Sequence, residues 1–521
     1  MTTDTVHRVR VQTEQYADSV RLMAARRAMG DVGGTGTVAA LMGTPANRDD
    51  LIETGFAAGD LDGVGANDVV LAVAATDDDT ARAALAAGEA ALEGDDGSDR
   101  PDPSGGGRPG PQTLEQAVQE LSDANVALIS VAAEYAVLEA HKALSAGLHV
   151  LLFSSGIAVA DEIELKRRAR DVGLLVMGPD AGTAMLGGVG LGFANVVEPG
   201  PVGVVAAAGT GAQEVMTLLH RWGAGPSHVI GVGGRDTSAD VGGVALRMGL
   251  AALCADPATS VLLVVSKPPA PQVAYALLEE LDGVPSVAAF IGLDHSAVTA
   301  PHDVALAGSL EQAALSVLDA LGRARPDPAR GMARCARDAV GGLGGGRRSL
   351  RGLFSGGTLC YEAMVLASRH LGAVHSNTPL RDGWGLPADD DAHQCLDLGA
   401  EEYTRGRPHP MIDPEPRAEQ LRTHGADPAT AVVLLDVVLG HGAHDDPAGV
   451  LAPVCEEITS AADAPAVVAY VLGTDDDPQD LAGQRAQLTD AGCLLAPTNA
   501  RAALLAAAIA ARDPTIAEDV A

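Results

Sequence analysis

The chain has 521 residues, 47% of them hydrophobic and only 2% aromatic, and its formal net charge is −34. That length predicts two to four domains with cores built from Ala, Val and Leu. The charge opposes nonspecific binding to nucleic acid or anionic lipid, and six cysteines without a CxxC pair argue against a disulfide framework or zinc knuckle.

The first twenty residues lack an apolar signal core, and no uninterrupted apolar run has bilayer length, so the expected location is the cytoplasm. Strands fit Val9–Val11, Val38–Met42 and Asp68–Ala75. Helices fit Ser19–Met29, Asp49–Gly55 and Asp79–Glu93. The stretch 94–111 is mostly Gly, Pro, Asp and Ser with no apolar anchor, and is expected to be mobile. Strands then fit Val126–Val131, His149–Phe153 and Leu174–Met177, with helices at Tyr135–Ala146 and Asp161–Val172. This alternation predicts a doubly wound parallel sheet, with ligands at the carboxyl ends of its strands.

The segment Pro201–Pro269 reads as a β-α-β-α-β unit. Its strands are Val202–Ala208, His228–Gly231 and Val261–Ser266, and its helices are Ala212–Arg221 and Val244–Cys254. Glycine turns stand where strands give way to helices, at Gly209-Thr210-Gly211 and at Gly233-Gly234 beside Arg235. Free N–H groups and the helix dipole suit such a place to a phosphate or carboxylate; turn geometry alone would also explain the glycines. After strand Val284–Ile291 and helix Leu310–Leu321, the Gly- and Arg-rich stretch 322–348 reads as a linker. Ser355-Gly356-Gly357-Thr358 then repeats the strand–glycine turn–helix device, ahead of a helix over Leu359–Leu371. Strand Ala431–Leu439 runs into Gly440-His441-Gly442-Ala443-His444-Asp445-Asp446. That loop has metal-ligand residue types, but anion binding or helix capping is the preferred reading, so no metal is assigned. Val467–Leu472 and Cys493–Leu495 fit further strands, and Arg501–Arg512 the last helix. Asn377 lies in a Ser-Asn-Thr-Pro segment suited to hold a carboxylate or form an Asx turn.

Six dispersed motifs, FANVVEPGPVGVVAAAGTGAQEV, IGVGGRD, SKPP, LFSGGTLCYEA, RPHPMIDP and DVVLGHGAHDDPAG, together resemble the FdrA family. Its members are similar to succinyl-CoA synthetase, with alpha-like and beta-like parts in one chain. The implied fold class is α/β: an N-terminal Rossmann-like CoA-binding-type domain (1–198, insert 94–111), then two flavodoxin-like ligase domains (199–325 and 349–521) joined by a linker (326–348). In the resemblance, Gly209–Gly211 heads one of two helices that converge on a shared anion, and Gly440-His441-Gly442 heads the other. The loop where a synthetase carries its phosphohistidine reads GLDHSAVTAPHD. His295 and His302 are near but lack the glycine–histidine–alanine–glycine setting, and no acid stands at 266–269.

Some FdrA-type proteins are oxamate carbamoyltransferase subunits, converting a ureido acid and phosphate to an amide and carbamoyl phosphate. The resemblance therefore implies a phosphate cradle from Gly209, Thr210, Gly211, Gly233, Gly234, Ser355, Gly356, Gly357, Thr358, Gly440, His441 and Gly442. Arg235, Lys267 and His409 are the expected catalytic cations, with Arg407 and Asn377 on the substrate. The alternatives are an acyl-CoA synthetase, taking CoA or nucleotide as cofactor, and a noncatalytic scaffold. Expected partners are a small anionic substrate with phosphate, further carbamoyltransferase subunits and a second copy of the chain; nucleic acid and membrane are not expected.

Overall fold

The computed structural model describes residues 5–13, 15, 17, 19–93, 111–281, 283–294, 298–389, 391–404 and 408–521. The chain forms two compact units, Met1–Gly110 with Thr404–Pro408, and Pro111–Tyr403 with His409–Ala521.

The first unit runs β1 (Val6–Gln12), α1 (Ser19–Gly30), β2 (Thr35–Met42), α2 (Pro45–Glu53), β3 (Val69–Ala75) and α3 (Asp78–Glu93). β3 is the unbroken apolar run VVLAVAA, buried at every position, and so takes the middle of the sheet. β1 and β2 pair on its two sides, both antiparallel to it. Residues 1–198 are therefore not one parallel domain. A split β-α-β with a strand inserted between its arms shows the same alternation in sequence as a parallel β-α-β, and side-chain period does not report strand direction. Met29, Leu71, Val73 and Leu85 fill one face of this sheet; Leu51, Phe56, Leu61 and Val70 fill the other.

The second unit opens with α4 (Leu114–Glu120), β4 (Val126–Ile129), α5 (Ala133–Ser145), β5 (His149–Leu152), α6 (Val159–Asp171) and β6 (Val176–Met177). β4, β5 and β6 form a parallel three-stranded sheet, the Rossmann-like part of the chain. Next come β7 (Thr183–Leu186), β8 (Val189–Gly192), β9 (Val202–Ala206), α7 (Gly209–Arg221), β10 (Pro226–Gly231), α8 (Val244–Ala255), β11 (Val261–Ser266), α9 (Pro271–Glu280), β12 (Ser286–Phe290), β13 (Val304–Ala307), α10 (Leu310–Ala320) and α11 (Met332–Gly342). The last part is β14 (Ser349–Phe354), α12 (Gly357–Leu371), β15 (Val374–His375), β16 (His393–Asp397), α13 (Glu401–Thr404), α14 (Glu415–Ala426), β17 (Thr430–Val438), α15 (Pro447–Thr459), β18 (Ala466–Leu472), α16 (Leu481–Asp490), β19 (Leu494–Ala496) and α17 (Asn499–Ala511).

The two larger sheets run β13-β12-β11-β9-β10-β7-β8 and β15-β16-β14-β17-β18-β19. The parallel core of the first, β13-β12-β11-β9-β10, has the same order as β19-β18-β17-β14-β16 of the second. The α/β class with two flavodoxin-like sheets is thus the observed architecture. The two halves share one core: Val215, Leu218, Val317, Leu318, Leu359, Met364, Leu504 and Leu505 belong to a single apolar cluster. The expected linker is not structureless. α11 lies within it and contributes Ala336, with Met332, Cys335 and Ala339, to that cluster. Among the described residues no helix is long and apolar enough to cross a membrane.

Candidate functional site

α7 and α12 begin at equivalent glycine turns and meet head to head. The Thr358 N–H donates to Thr210 Oγ1 at 3.3 Å. This approach needs the missing side chains. A Cβ on Gly211 would stand 2.9 Å from Thr358 Cγ2, and one on Gly356 would stand 3.0 Å from Thr210. The residues before the helices, Ala208 and Gly356, supply no capping side chain, so first-turn N–H groups and the positive ends of two helix dipoles gather at the junction.

The two turns differ in what fills them. Asp436, on β17, accepts the Ser355 N–H at 2.8 Å and the Ser355 hydroxyl at 3.1 Å through Oδ1, and the Gly356 N–H at 2.7 Å through Oδ2. Arg417, on α14, answers its charge at 3.2 Å. The expected phosphate contacts of Ser355 and Gly356 are therefore already spent on an internal carboxylate. In the other half, the residue two before the cap, Ala206, pairs with Val265; Asp436 stands in the corresponding place, one step beyond the Leu353–Leu435 pair. Val265 brings no carboxylate to its turn; its carbonyl accepts the Ala207 N–H, the counterpart of the Ser355 N–H, at 2.9 Å. Among the described residues, the N–H groups of Gly209, Thr210 and Gly211 have no acceptor within the fold.

The third turn is also committed. The Gly440 N–H donates to Gln479 Oε1 at 3.0 Å and its carbonyl accepts from Gln479 Nε2 at 2.8 Å. The His441 N–H donates to the Ala194 carbonyl at 2.7 Å, and Gly442, at φ 82°, packs under Phe193. Asp446 caps α15 through the Gly449 N–H at 3.0 Å. The loop reaches α7 indirectly: Asn195 donates to the Leu439 carbonyl at 2.9 Å and accepts from Gln213 at 3.1 Å. The helix that meets α7 directly is α12, not the one headed by His441.

Lys267 directly follows β11, and its Nζ lies 5.0 Å from the centre of the Tyr361 ring on α12. Asp397 ends β16 against the first turn of α12, where a Cβ on Gly357 would stand 2.6 Å from its Oδ2. Burial pushes the Asp397 carboxyl up to about 6, against the pull of the Lys267 charge and of the Gly399 N–H at 3.1 Å. Asn377 spends both ends of its amide on the Asp397 backbone, each at 2.9 Å. It positions Asp397 and is not turned to a substrate. Asp180 follows the Gly178-Pro179 turn at φ 58°, with its pKa raised by burial and opposed by the Arg235 charge.

Two expected cations change character. Burial holds His409 down at about 4, so its ring is neutral near pH 7; the Met411 N–H donates to Nδ1 at 3.2 Å, which leaves the proton on Nε2. It is a neutral hydrogen-bond donor and not the expected cation. Arg235 is paired to the buried Glu162 at 2.9 Å and donates to the Ile157 carbonyl at 2.8 Å, so its charge is largely committed. Arg407, like His295, lies outside the described residues. Gly233 is required by close approach, since a Cβ there would collide with the Pro179 carbonyl oxygen, and Gly234 opens a short 3-10 turn. His302 is fully exposed.

Two buried polar clusters escaped the sequence reading. Lys166, 1% exposed, bonds Glu162 at 2.8 Å, Asp236 at 2.7 Å and the Val232 carbonyl at 3.0 Å; Asp236 also caps α8 through the Leu246 N–H at 2.9 Å. The second cluster is reciprocal. Glu214, six residues after the α7 cap, accepts the Asn499 N–H that opens α17 at 3.3 Å and the Tyr470 hydroxyl at 2.6 Å. Glu362, six after the α12 cap, accepts the Leu310 N–H that opens α10 at 2.6 Å and the Asn499 side-chain amide at 2.7 Å. Burial pushes Glu214 up to about 7 and Glu362 up to about 8. A buried Glu on an otherwise apolar helix face was the available signal.

A CoA-ligase family model matches residues 353–509, and a model of the AllF heavy metal-associated domain matches residues 1–106. The latter segment contains no cysteine, and His7, its one histidine, packs edge-on against Phe56 at 5.1 Å, so its residues do not fit a heavy-metal site. The chain is 38% identical over 404 residues to the uncharacterized protein YahF of Escherichia coli strain K12, covering 76% of this chain and 78% of that protein. It is 33% identical over 126 residues to the alpha 2 subunit of ADP-forming succinate–CoA ligase of Archaeoglobus fulgidus, covering 23% of this chain and 44% of that subunit. Among solved structures, the apo dinucleotide-forming acetyl-coenzyme A synthetase 1 of Ca. Korarchaeum cryptofilum is 16% identical at a TM-score of 0.31, covering 75% of this chain and 84% of that one, a likeness too low to carry an argument. On the identity and coverage shared with YahF, the chain belongs to the YahF family, and it carries a CoA-ligase domain of succinyl-CoA-synthetase type.

Proposed function

We propose that the chain is a CoA-ligase-type subunit that moves an acyl group to or from phosphate, holding the phosphoryl oxygens at the α7 turn without a covalent histidine carrier. One observation carries this reading: the Gly209, Thr210 and Gly211 N–H groups that open α7 have no acceptor among the described residues, and no carboxylate stands before them as Asp436 stands before α12. A tetrahedral oxyanion at Gly209, Thr210 and Gly211 would gain the dipole of α7 and the charge of Lys267. Asp397, poised near pH 6 beside Lys267, would take or return the proton of the attacking group. CoA or a nucleotide would be supplied through partner subunits or a second copy of the chain, as the multi-subunit ligase relatives suggest.

Acyl phosphate with CoA is the first substrate pair to test; the similarity to the succinate–CoA ligase alpha subunit favours it. Carbamoyl transfer from a ureido acid is the second reading. It is favoured by the loop GLDHSAVTAPHD, which lacks the glycine–histidine–alanine–glycine setting of a phosphohistidine, and by the AllF-type match of residues 1–106. Release of phosphate from acetyl phosphate in the presence of CoA, and of carbamoyl phosphate from oxalurate with phosphate, should be assayed on the same preparation. Activity in either that survives Lys267→Met and Asp397→Asn together would refute the site.

A further inference from the structure

A cavity of about 550 Å³ lies between the loop after β12, the outer face of α12 and the loop carrying Leu380 and Arg381. Its volume is that of a small-molecule site. Arg369 and Arg381 both line it, and among the described residues neither makes an ion pair: Arg369 reaches the Val520 carbonyl at 3.4 Å, and the Arg381 guanidinium lies 5.2 Å from the centre of the Trp384 ring. The two guanidinium groups share this concavity with Asp294, the one acidic side chain on its wall, and with the chain's last residue, Ala521.

The cavity adjoins the site already described. Tyr361 is one of its walls, and the same ring carries Lys267. The Tyr361 hydroxyl is raised by burial alone, which fits a phenol facing this space without a fixed partner. Leu293, Val365 and Leu380 give the floor an apolar patch suited to a short carbon chain.

We infer that this cavity binds a small organic dianion, one anionic group held by Arg369 and Arg381 and the other end directed past Tyr361 toward Lys267. Planar guanidinium forks suit either a carboxylate or a phosphate group. This goes beyond the reaction proposed above and does not require it, because the α7 turn forms no part of the cavity.

Isothermal titration of the full chain at low salt with glutarate and with phosphonoacetate tests it. One of the two is expected to bind, glutarate marking a carboxylate site and phosphonoacetate a phosphate site. An Arg369→Gln/Arg381→Gln double variant, melting as the parent does, should bind at least about tenfold more weakly. Thr210→Ala, which alters the α7 turn, should leave that affinity within about twofold, so failure of the α7 reading and failure of this one are separable. Unchanged affinity in the double variant, no binding of either dianion, or a loss confined to Thr210→Ala would overturn the inference.

Discussion

Glu362→Gln should make the second unit less sensitive to alkali. Glu362 is wholly buried between α10 and α17, and its carboxyl is pushed up to about 8. In the unfolded chain a glutamate ionises near about 4.3. The folded state therefore keeps a proton that the unfolded state has released. Stability from this group is complete below the unfolded value and falls as pH rises, levelling off once the folded value is passed. Each unit in that window costs about 1.4 kcal/mol, so on the order of 3 kcal/mol is lost between about pH 6 and about pH 8.5. Glutamine removes the titration and still accepts the Leu310 N–H. Its amide would face the Asn499 amide, whose buried Oδ1 has no partner, so a cost of about 1 kcal/mol is expected at about pH 6. Urea midpoints across this range should fall steeply for the parent and distinctly less for the variant, so that the two curves approach or cross above about pH 7. Parallel curves would refute the assignment of the bound proton to Glu362.

Lys166→Met leaves Glu162 and Asp236 buried without their shared cation, and should cost about 3–5 kcal/mol in urea unfolding. Gly211→Ala drives a methyl group to 2.9 Å from Thr358. It should lower stability by about 1–3 kcal/mol and remove any thermal stabilisation by phosphate, since the two turns can no longer touch. Activity should rise through an inflection near pH 6 as Asp397 ionises, and Asp397→Asn should flatten that limb of the profile. His409→Gln should leave the pH profile between about 5 and 8 unchanged, because the ring it replaces is already neutral there.

The parallel core was legible because β9, β11 and β17 are long, largely apolar runs, and β9 and β17 lead into glycine turns. The direction of β1 and β2 was not, since side-chain alternation is the same in parallel and antiparallel pairs. α11 was hidden by the glycines and arginines around it, although Met332, Cys335, Ala336 and Ala339 repeat at helical spacing. The glycine turns at 209 and 356 were found as a pair, but their difference was not. The Asp436 plug was visible in principle, as an aspartate inside VVLLDVVL that no buried strand tolerates without a partner. Arg417 and the Ser355 turn, its partners, lie 19 and 81 residues away, and no local pattern links them. His409 was misjudged because its charge state follows from burial, which sequence does not show.

The exchange of carboxylates between Glu214 and Glu362 bears on how this protein can be divided into genes. Each finishes the start of a helix belonging to the opposite half, α17 for Glu214 and α10 for Glu362. A polypeptide stopped after α10 would keep Glu362's client without Glu362, and its complement would begin α17 bare. Fission near α11 is therefore tolerable only when both fragments are synthesised together, as an obligate heterodimer whose two products must meet to mature.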